Sequence, residues 1–291
     1  MRIGILGGPG LSAGALLDGA VQRLGTELVR RCWGMVLGVP GPVGFDTVES
    51  GADVVEVVAR GAEAGTGAAD RRAVDGSVAR LEAVRLLSDA VVVLPGGIDV
   101  LADLLALLTE QALGLSDKPC GVLDPHGLLD PLAEQLDALE RAGLPVAPLL
   151  RADDPAALLD RLAAWRPNGG GDLHDEVAWL RVSDSSLTLL PNPSGLCLPG
   201  GPREPGERGA VALCRLLAQR WSVRLCAKRL HPAAALVVPE PDGGWRRVSC
   251  YRADGLQPVL PGAVAHPLGE TTACDPAAAA LQELLRQGRV L

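Results

Sequence analysis

Short apolar runs alternate with longer amphipathic segments through the first half of the chain. The apolar runs predict strands over 2–7, 34–38, 53–58, 90–94, 118–124 and 145–149. The amphipathic segments predict helices over 12–31, 76–87, 98–114, 128–142 and 155–165, with a Gly/Ala-rich loop over 61–74. Strands that alternate with helices in this way are typical of an α/β fold with a doubly wound, Rossmann-like parallel sheet.

The run between Asp89 and Pro95 is entirely apolar, as expected for a strand buried on both faces of a parallel sheet. The turn Pro95-Gly96-Gly97 follows it, at the strand end where open α/β sheets hold their ligands. Glycines let a backbone approach an anion closely, and the next helix offers free N–H groups. The turn therefore predicts a ligand site, although such turns also serve only to change chain direction.

A polar, glycine-rich linker at 166–172 separates two different patterns. Beyond it, strands are predicted over 176–182, 186–190, 222–228, 233–238 and 245–252, and helices over 208–221 and 275–287. Runs of strands with two helices predict an α+β sandwich. We therefore expect two domains, 1–165 and 173–291.

Composition limits the classes of function. The 291 residues carry a formal charge of −8, which argues against binding nucleic acid through bulk electrostatics. No apolar run approaches the ~20 residues that span a bilayer, and the strand predicted at the start leaves no room for a signal peptide. The seven cysteines are scattered without metal-ligand spacing. We expect reduced thiols in a cytoplasmic protein with no metal and no cofactor.

The segments 94–103 and 113–124 resemble the LOG ("Lonely Guy") family of nucleoside 5′-monophosphate phosphoribohydrolases. That family shows Pro-Gly-Gly-x-Gly-Thr-x-x-Glu followed by Leu-Gly-x-x-x-Lys-Pro. Here the chain has Pro95-Gly-Gly97 and then Leu113-Gly-Leu-Ser-Asp-Lys-Pro119. The resemblance covers residues 1–165 and implies a Rossmann-like fold, a nucleotide or nucleoside-like substrate and a homodimer.

The resemblance implies catalytic roles for two residues. Arg80 lies at the spacing of the family's arginine, and Asp103 replaces the motif glutamate. A carboxylate beneath the sugar would stabilise the oxocarbenium character that develops as an N-glycosidic bond breaks. Arg80 would hold the substrate or position the carboxylate. From the residues alone, Arg80 is equally a solvated helix residue, and Asp103 equally a first-turn acid that complements the helix dipole.

The substrate-binding residues implied by the resemblance depart from the family's pattern. Asp99 replaces a glycine, and the glycine-rich phosphate loop becomes Val39-Pro-Gly-Pro-Val-Gly44, whose two prolines have no N–H for a phosphate oxygen. We therefore expect weaker recognition of a 5′-phosphate than in the family. His126 lines the same cleft or is simply a loop residue. The implied binding residues are Gly8, Gly41, Gly44, Pro95, Gly96, Gly97 and Asp99.

The second half resembles the Nudix family over residues 173–291. Gly201, Glu207, Arg215, Leu217 and Val223 match the Nudix box in register. The family binds Mg²⁺ through helix glutamates, and those positions hold Leu216, Gln219 and Arg220 here. We therefore expect no Mg²⁺-dependent pyrophosphohydrolase activity in this half.

Two functions remain open from the sequence. The first is a divergent LOG-type hydrolase that releases free base from a nucleotide or nucleoside-like substrate. The second is a catalytically inactive nucleotide-binding sensor or scaffold built from two degenerate nucleotide-handling domains, since donors of the phosphate loop and acids of the Nudix box are missing.

Overall fold

The computed structural model describes residues 1–7, 14–38, 53–60, 68, 70–167, 171–193, 195–254, 259–270 and 274–290, with the backbone alone for 14–18. The chain divides into two compact units, residues 2–167 and residues 168–291, and Met1 groups with the second. Each unit is described by itself.

The described strands of the first unit form one seven-stranded parallel sheet. Its strand order is β4-β3-β2-β1-β5-β6-β7, so the direction of winding reverses between β1 and β5. Ligands of doubly wound sheets bind at this switch point. The strands are β1 Arg2–Leu6, β2 Gly34–Leu37, β3 Val54–Ala59, β4 Asp70–Val74, β5 Ala90–Val93, β6 Cys120–Leu123 and β7 Leu150–Ala152.

Strands β1, β2 and β5 are buried along their whole length, because helices cover the sheet. The core beneath α2 and α3 includes Val84, Leu87, Val93 and Leu104. Burial raises the pKa of the Cys120 thiol in β6 to about 12, so this thiol stays neutral. The helices are α1 Gly14–Arg30, α2 Gly76–Leu87, α3 Ile98–Ala112, α4 Asp130–Arg141 and α5 Pro155–Ala164.

Three predicted elements are wrong. The predicted loop 61–74 contains the edge strand β4, whose polar residues obscured the alternation of buried Arg72 and Val74 with exposed neighbours. The strand predicted at 145–149 forms instead at β7, because Pro145 and Pro148 have no N–H for a ladder. The strand predicted at 222–228 is replaced by a 3₁₀ helix at Ala227–Arg229.

The second unit combines two four-stranded sheets with two helices, α6 Gly209–Trp221 and α7 Pro276–Arg286, within its described part. One sheet has the order β12-β8-β14-β13, and in the other β10 pairs with β9, β11 and β15. Trp179, Leu213 and Tyr251 are buried in its core. The strands are β8 Leu173–Trp179, β9 Val182–Ser183, β10 Ser186–Asn192, β11 Gly195–Cys197, β12 Gly200–Pro202, β13 Leu230–Pro239, β14 Trp245–Ala253 and β15 Val264–Pro267.

The predicted fold class is confirmed: a parallel α/β sheet in the first unit and an α+β arrangement in the second. In the described ranges, no helix has both the length and the apolar character that a membrane crossing requires.

Lys118 of the Leu-Gly…Lys-Pro segment caps helix α2. Its Nζ donates to the carbonyl oxygens of Arg85 at 2.6 Å and Leu86 at 3.4 Å. The Lys118 carbonyl accepts from Nε2 of Gln111 in α3 at 2.7 Å. A cation at the C-terminal end of a helix satisfies orphan carbonyls and complements the helix dipole. The motif lysine thus connects α2, α3 and the start of β6.

Replacing Lys118 with Met removes the ammonium and keeps most of the aliphatic stem. We expect the first unit to lose about 1 kcal/mol because α2 loses its C-terminal cation. For a unit of this size, that loss lowers the unfolding temperature by roughly 2–4 °C in differential scanning calorimetry. Lys228→Met, at an exposed position in the second unit, is the control and leaves the first unit's transition in place. Equal shifts for both variants would contradict the cap.

Candidate functional site

Arg80 of α2 and Asp103 of α3 form an ion pair. Nη2 of Arg80 lies 2.5 Å from Oδ2 of Asp103. The two side chains are only 13% and 10% exposed, respectively. Asp103 is also in the second turn of α3, not the first. Neither residue is therefore the solvated helix residue or first-turn acid that the sequence left open.

The carbonyl of Gly38 holds the other side of the Arg80 guanidinium. It accepts from Nη1 of Arg80 at 3.3 Å, while the N–H of Gly38 donates to Ile5 in β1 at 2.9 Å. A Cβ at Gly38 would lie 2.6 Å from Cδ2 of Leu6, so any larger residue would force this buried side chain to move. Sequence reasoning missed Gly38. The available signal was a glycine at the end of an apolar strand, directly before the suspected phosphate loop.

The Pro95-Gly96-Gly97 turn follows β5 at the switch point. The N–H of Leu94 donates to Leu6 in β1 at 2.8 Å, which fixes the start of the turn. Pro95 is buried, Gly96 half-buried and Gly97 exposed. Gly97 is the N-cap of α3, so the N–H groups of the first turn of the helix lie directly after the turn.

Asp99 lies over the start of α3. Its Oδ1 is 2.9 Å from the place that a Cβ on Gly97 would occupy. The carboxylate thus puts negative charge beside the helix N-terminus, where the partial positive charge of the helix would otherwise attract an anion. Weaker recognition of a 5′-phosphate stays a prediction.

The structure describes only some of the remaining predicted positions. Gly8, Gly41 and Gly44 lie outside the described residues. His126 is exposed in the turn between β6 and α4. That turn is held by Asp124, whose oxygens accept from the N–H groups of Leu128 at 2.9 Å and Leu129 at 2.8 Å.

The arrangement provides one oriented carboxylate. Arg80 holds Oδ2 of Asp103, and Oδ1 accepts no hydrogen bond from the described residues. A carboxylate held in this way can stabilise a developing positive charge or orient a water molecule. Its guanidinium partner fixes the geometry, which matters because a misplacement of ~1 Å can cost about 100-fold in rate.

In the second unit, the matching Nudix-box residues pair with each other. Arg215 donates from Nε and Nη2 to the two oxygens of Glu207 at 2.9 and 2.8 Å. These hydrogen bonds hold the pKa of the Glu207 carboxyl below its ordinary value. Both oxygens of Glu207 are thus engaged by a cation. Across the described ranges, no three His, Cys, Asp or Glu side chains are grouped to hold a metal ion. The absence of Mg²⁺-dependent activity stays a prediction.

Comparison with known proteins decides the family. Residues 47–152 match the family described as "possible lysine decarboxylase". The chain is 30% identical over 174 residues to the cytokinin riboside 5′-monophosphate phosphoribohydrolase LOG1 of Arabidopsis thaliana, covering 55% of this chain and 79% of that protein. The chain belongs to the LOG family.

A second LOG protein, from Oryza sativa subsp. japonica, is 33% identical over 129 residues, covering 41% of this chain and 53% of that protein. The chain spans 53% to 66% of the length of three rice LOG relatives. Among solved structures, the chain is similar to a MutT Nudix hydrolase of Burkholderia pseudomallei, with 16% identity and a TM-score of 0.34. That match covers 38% of this chain and 97% of the other. The Nudix resemblance of the second unit stays a prediction.

A double-mutant cycle with Arg80→Met and Asp103→Leu measures the coupling within the ion pair. Each single variant leaves a largely buried charge unpaired, so we expect the double variant to be more stable than the sum of the two losses predicts. The expected coupling is about 1–3 kcal/mol in the free energy of unfolding by urea. A coupling near zero would mean that the pair does not form in solution.

Proposed function

We propose that this LOG-family protein hydrolyses the N-glycosidic bond of a nucleotide or nucleoside-like substrate and releases the free base. The observation that carries the proposal is the Arg80–Asp103 pair beside the switch point of the sheet. The relatives named above are cytokinin riboside 5′-monophosphate phosphoribohydrolases, which supports a nucleotide as substrate. The same relatives do not favour an inactive sensor or scaffold.

In the proposed reaction, the bond between the anomeric carbon and the base nitrogen breaks, and its electron pair leaves with the base. The carboxylate of Asp103 faces the anomeric carbon and stabilises the positive charge that develops on the sugar. Water adds to this carbon, and one of its protons completes the released base. Arg80 keeps Oδ2 of Asp103 in place, and the Gly38 carbonyl keeps Arg80 in place.

We propose that a 5′-phosphate adds less to binding here than a glycine-rich phosphate loop would provide. Asp99 places a carboxylate beside the N-terminus of α3. Pro40 and Pro42, in the segment of sequence after β2, have no N–H to donate. The substrate's base and sugar therefore contribute the larger share of binding.

The test is Asp103→Asn, assayed with a panel of nucleoside 5′-monophosphates and nucleosides. Asn keeps the shape and removes the negative charge, so we expect the rate of base release to fall at least ~100-fold. Chromatography of the released base measures the rate, and thermal unfolding checks that the variant folds.

Asp137→Asn is the matched control, since Asp137 is an exposed acid on α4 of the same unit. It should retain the wild-type rate. The proposal fails if wild-type protein releases no base from any member of the panel, or if Asp103→Asn is as active as Asp137→Asn.

We propose that the protein acts as a homodimer that pairs through α3. Ile98 and Leu105 are 82% and 44% exposed, and Ala102 between them is also exposed. Residues with this spacing share one face of a helix, so α3 presents an apolar stripe opposite the buried Val100 and Leu107. A second copy of the same helix can cover such a stripe on a two-fold axis.

Replacing Leu105 with Glu places a charge in this stripe. We expect the mass in solution, measured by light scattering after size exclusion, to shift from dimer to monomer. Val211→Glu is the control because Val211 is 40% exposed on a helix of the second unit. A monomeric wild type, or a Leu105→Glu variant that stays dimeric, would contradict pairing through α3.

A further inference from the structure

The second unit contains a pocket of about 120 Å³ that the proposed reaction does not use. Its lining includes Glu176 of β8, Gly201 of β12, Arg246 of β14 and Asp275 at the start of α7. Arg220, from the last turn of α6, lines the same pocket. A water molecule takes up roughly 30 Å³ of liquid volume, so the pocket is large enough for a small molecule.

Arg220 contributes a cationic group to the pocket lining. Nη1 donates to the carbonyl of Gly200 at 2.8 Å, which is the guanidinium's one hydrogen bond to the described residues. A Cβ on Gly201 would lie 2.9 Å from Nη1, so the guanidinium rests directly on this glycine. Among the described residues, no carboxylate forms an ion pair with Arg220. Its remaining N–H donors are thus available to an anionic oxygen group, which a guanidinium binds with good geometry.

Two carboxylates, of Glu176 and Asp275, line the same pocket. Arg246 lies 3.2 Å from Glu176 and 2.6 Å from Glu240, and it also pairs with Asp275. Three carboxylates around one guanidinium leave an excess of negative charge when all are ionised. Desolvation raises the pKa of Glu176, and the neighbouring acids Asp275 and Glu240 add to the rise. An added cation or hydrogen-bond donor relieves this crowding of acids.

We propose that this pocket binds a small zwitterion. An anionic oxygen group, phosphate or carboxylate, contacts Arg220, and an ammonium group faces Glu176 and Asp275. The cationic and acidic groups of the lining come from different elements, so a ligand that bears both charges can contact both groups at once. Such a molecule is distinct from the nucleotide-like substrate proposed for the first unit.

The test is isothermal titration calorimetry on the full chain with two zwitterions, O-phosphoethanolamine for phosphate and 4-aminobutyrate for carboxylate. Inorganic phosphate and ethylamine serve as the separate halves. We expect at least one zwitterion to bind at least ~10-fold more tightly than either half, since two charged groups bind at once. Which zwitterion binds identifies the anionic group.

Variants locate the binding. Arg220→Gln should weaken the zwitterion at least ~10-fold, because it removes a charge-assisted hydrogen bond. Arg224→Gln, at an exposed arginine four residues further on that does not line the pocket, should leave the affinity unchanged. Glu176→Gln should weaken binding of the zwitterion while leaving that of inorganic phosphate unchanged.

The proposal is overturned if neither zwitterion binds, or if a half binds as tightly as the whole molecule. Equal affinity in Arg220→Gln and Arg224→Gln would also overturn it, because binding would then lie elsewhere. Unfolding temperatures of the variants confirm that each is folded. Since these residues belong to the second unit, the result is independent of base release by the first.

Discussion

Burial of the central strands on both faces is the constraint on which the first unit depends. Each residue of β5 is buried, so its polar backbone groups must pair with β1 and β6. Where the strands end, single hydrogen bonds take over. Gly38 donates to Ile5, and Leu94 donates to Leu6. These two bonds fix the backbone of Gly38, directly after β2, and of Leu94, directly after β5. The Arg80 guanidinium is held by one of these fixed points.

The ion pair of Arg80 and Asp103 keeps two charges in a largely buried place. Such charges lose hydration, and an apolar pair of similar volume often stabilises a fold equally well. Here both charges are present, and the arginine is additionally held by the backbone carbonyl of Gly38. The second unit uses charge differently. Glu207 and Arg215 neutralise each other, whereas Arg220 keeps donors that the described residues do not use.

The sequence predicts those parts of the structure that depend on local pattern. The apolar run between Asp89 and Pro95 gave β5, and the predicted helix 76–87 matches α2 at both ends. Strand β4 was missed because an edge strand with charged residues lacks an apolar run. The spacing of the LOG family's motif residues led to the prediction that Arg80 and Asp103 belong to one site. Their link to Gly38 could not be predicted, because it depends on how β1 and β2 align in space. The same holds for the second-unit pocket, whose charges come from β8, β14, α6 and α7.

Lys118 changes what the family's Leu-Gly…Lys-Pro motif can be taken to mean. Its ammonium caps the C-terminal end of α2, the helix that carries Arg80. Its carbonyl accepts a hydrogen bond from α3, the helix that carries Asp103. The motif lysine therefore supports the packing of these two helices, whatever reaction the protein performs. A chain with another residue in place of Asp103 would still need the lysine for this packing. The lysine of the motif thus reports on architecture, and the proposed reaction depends instead on the residues at positions 80 and 103.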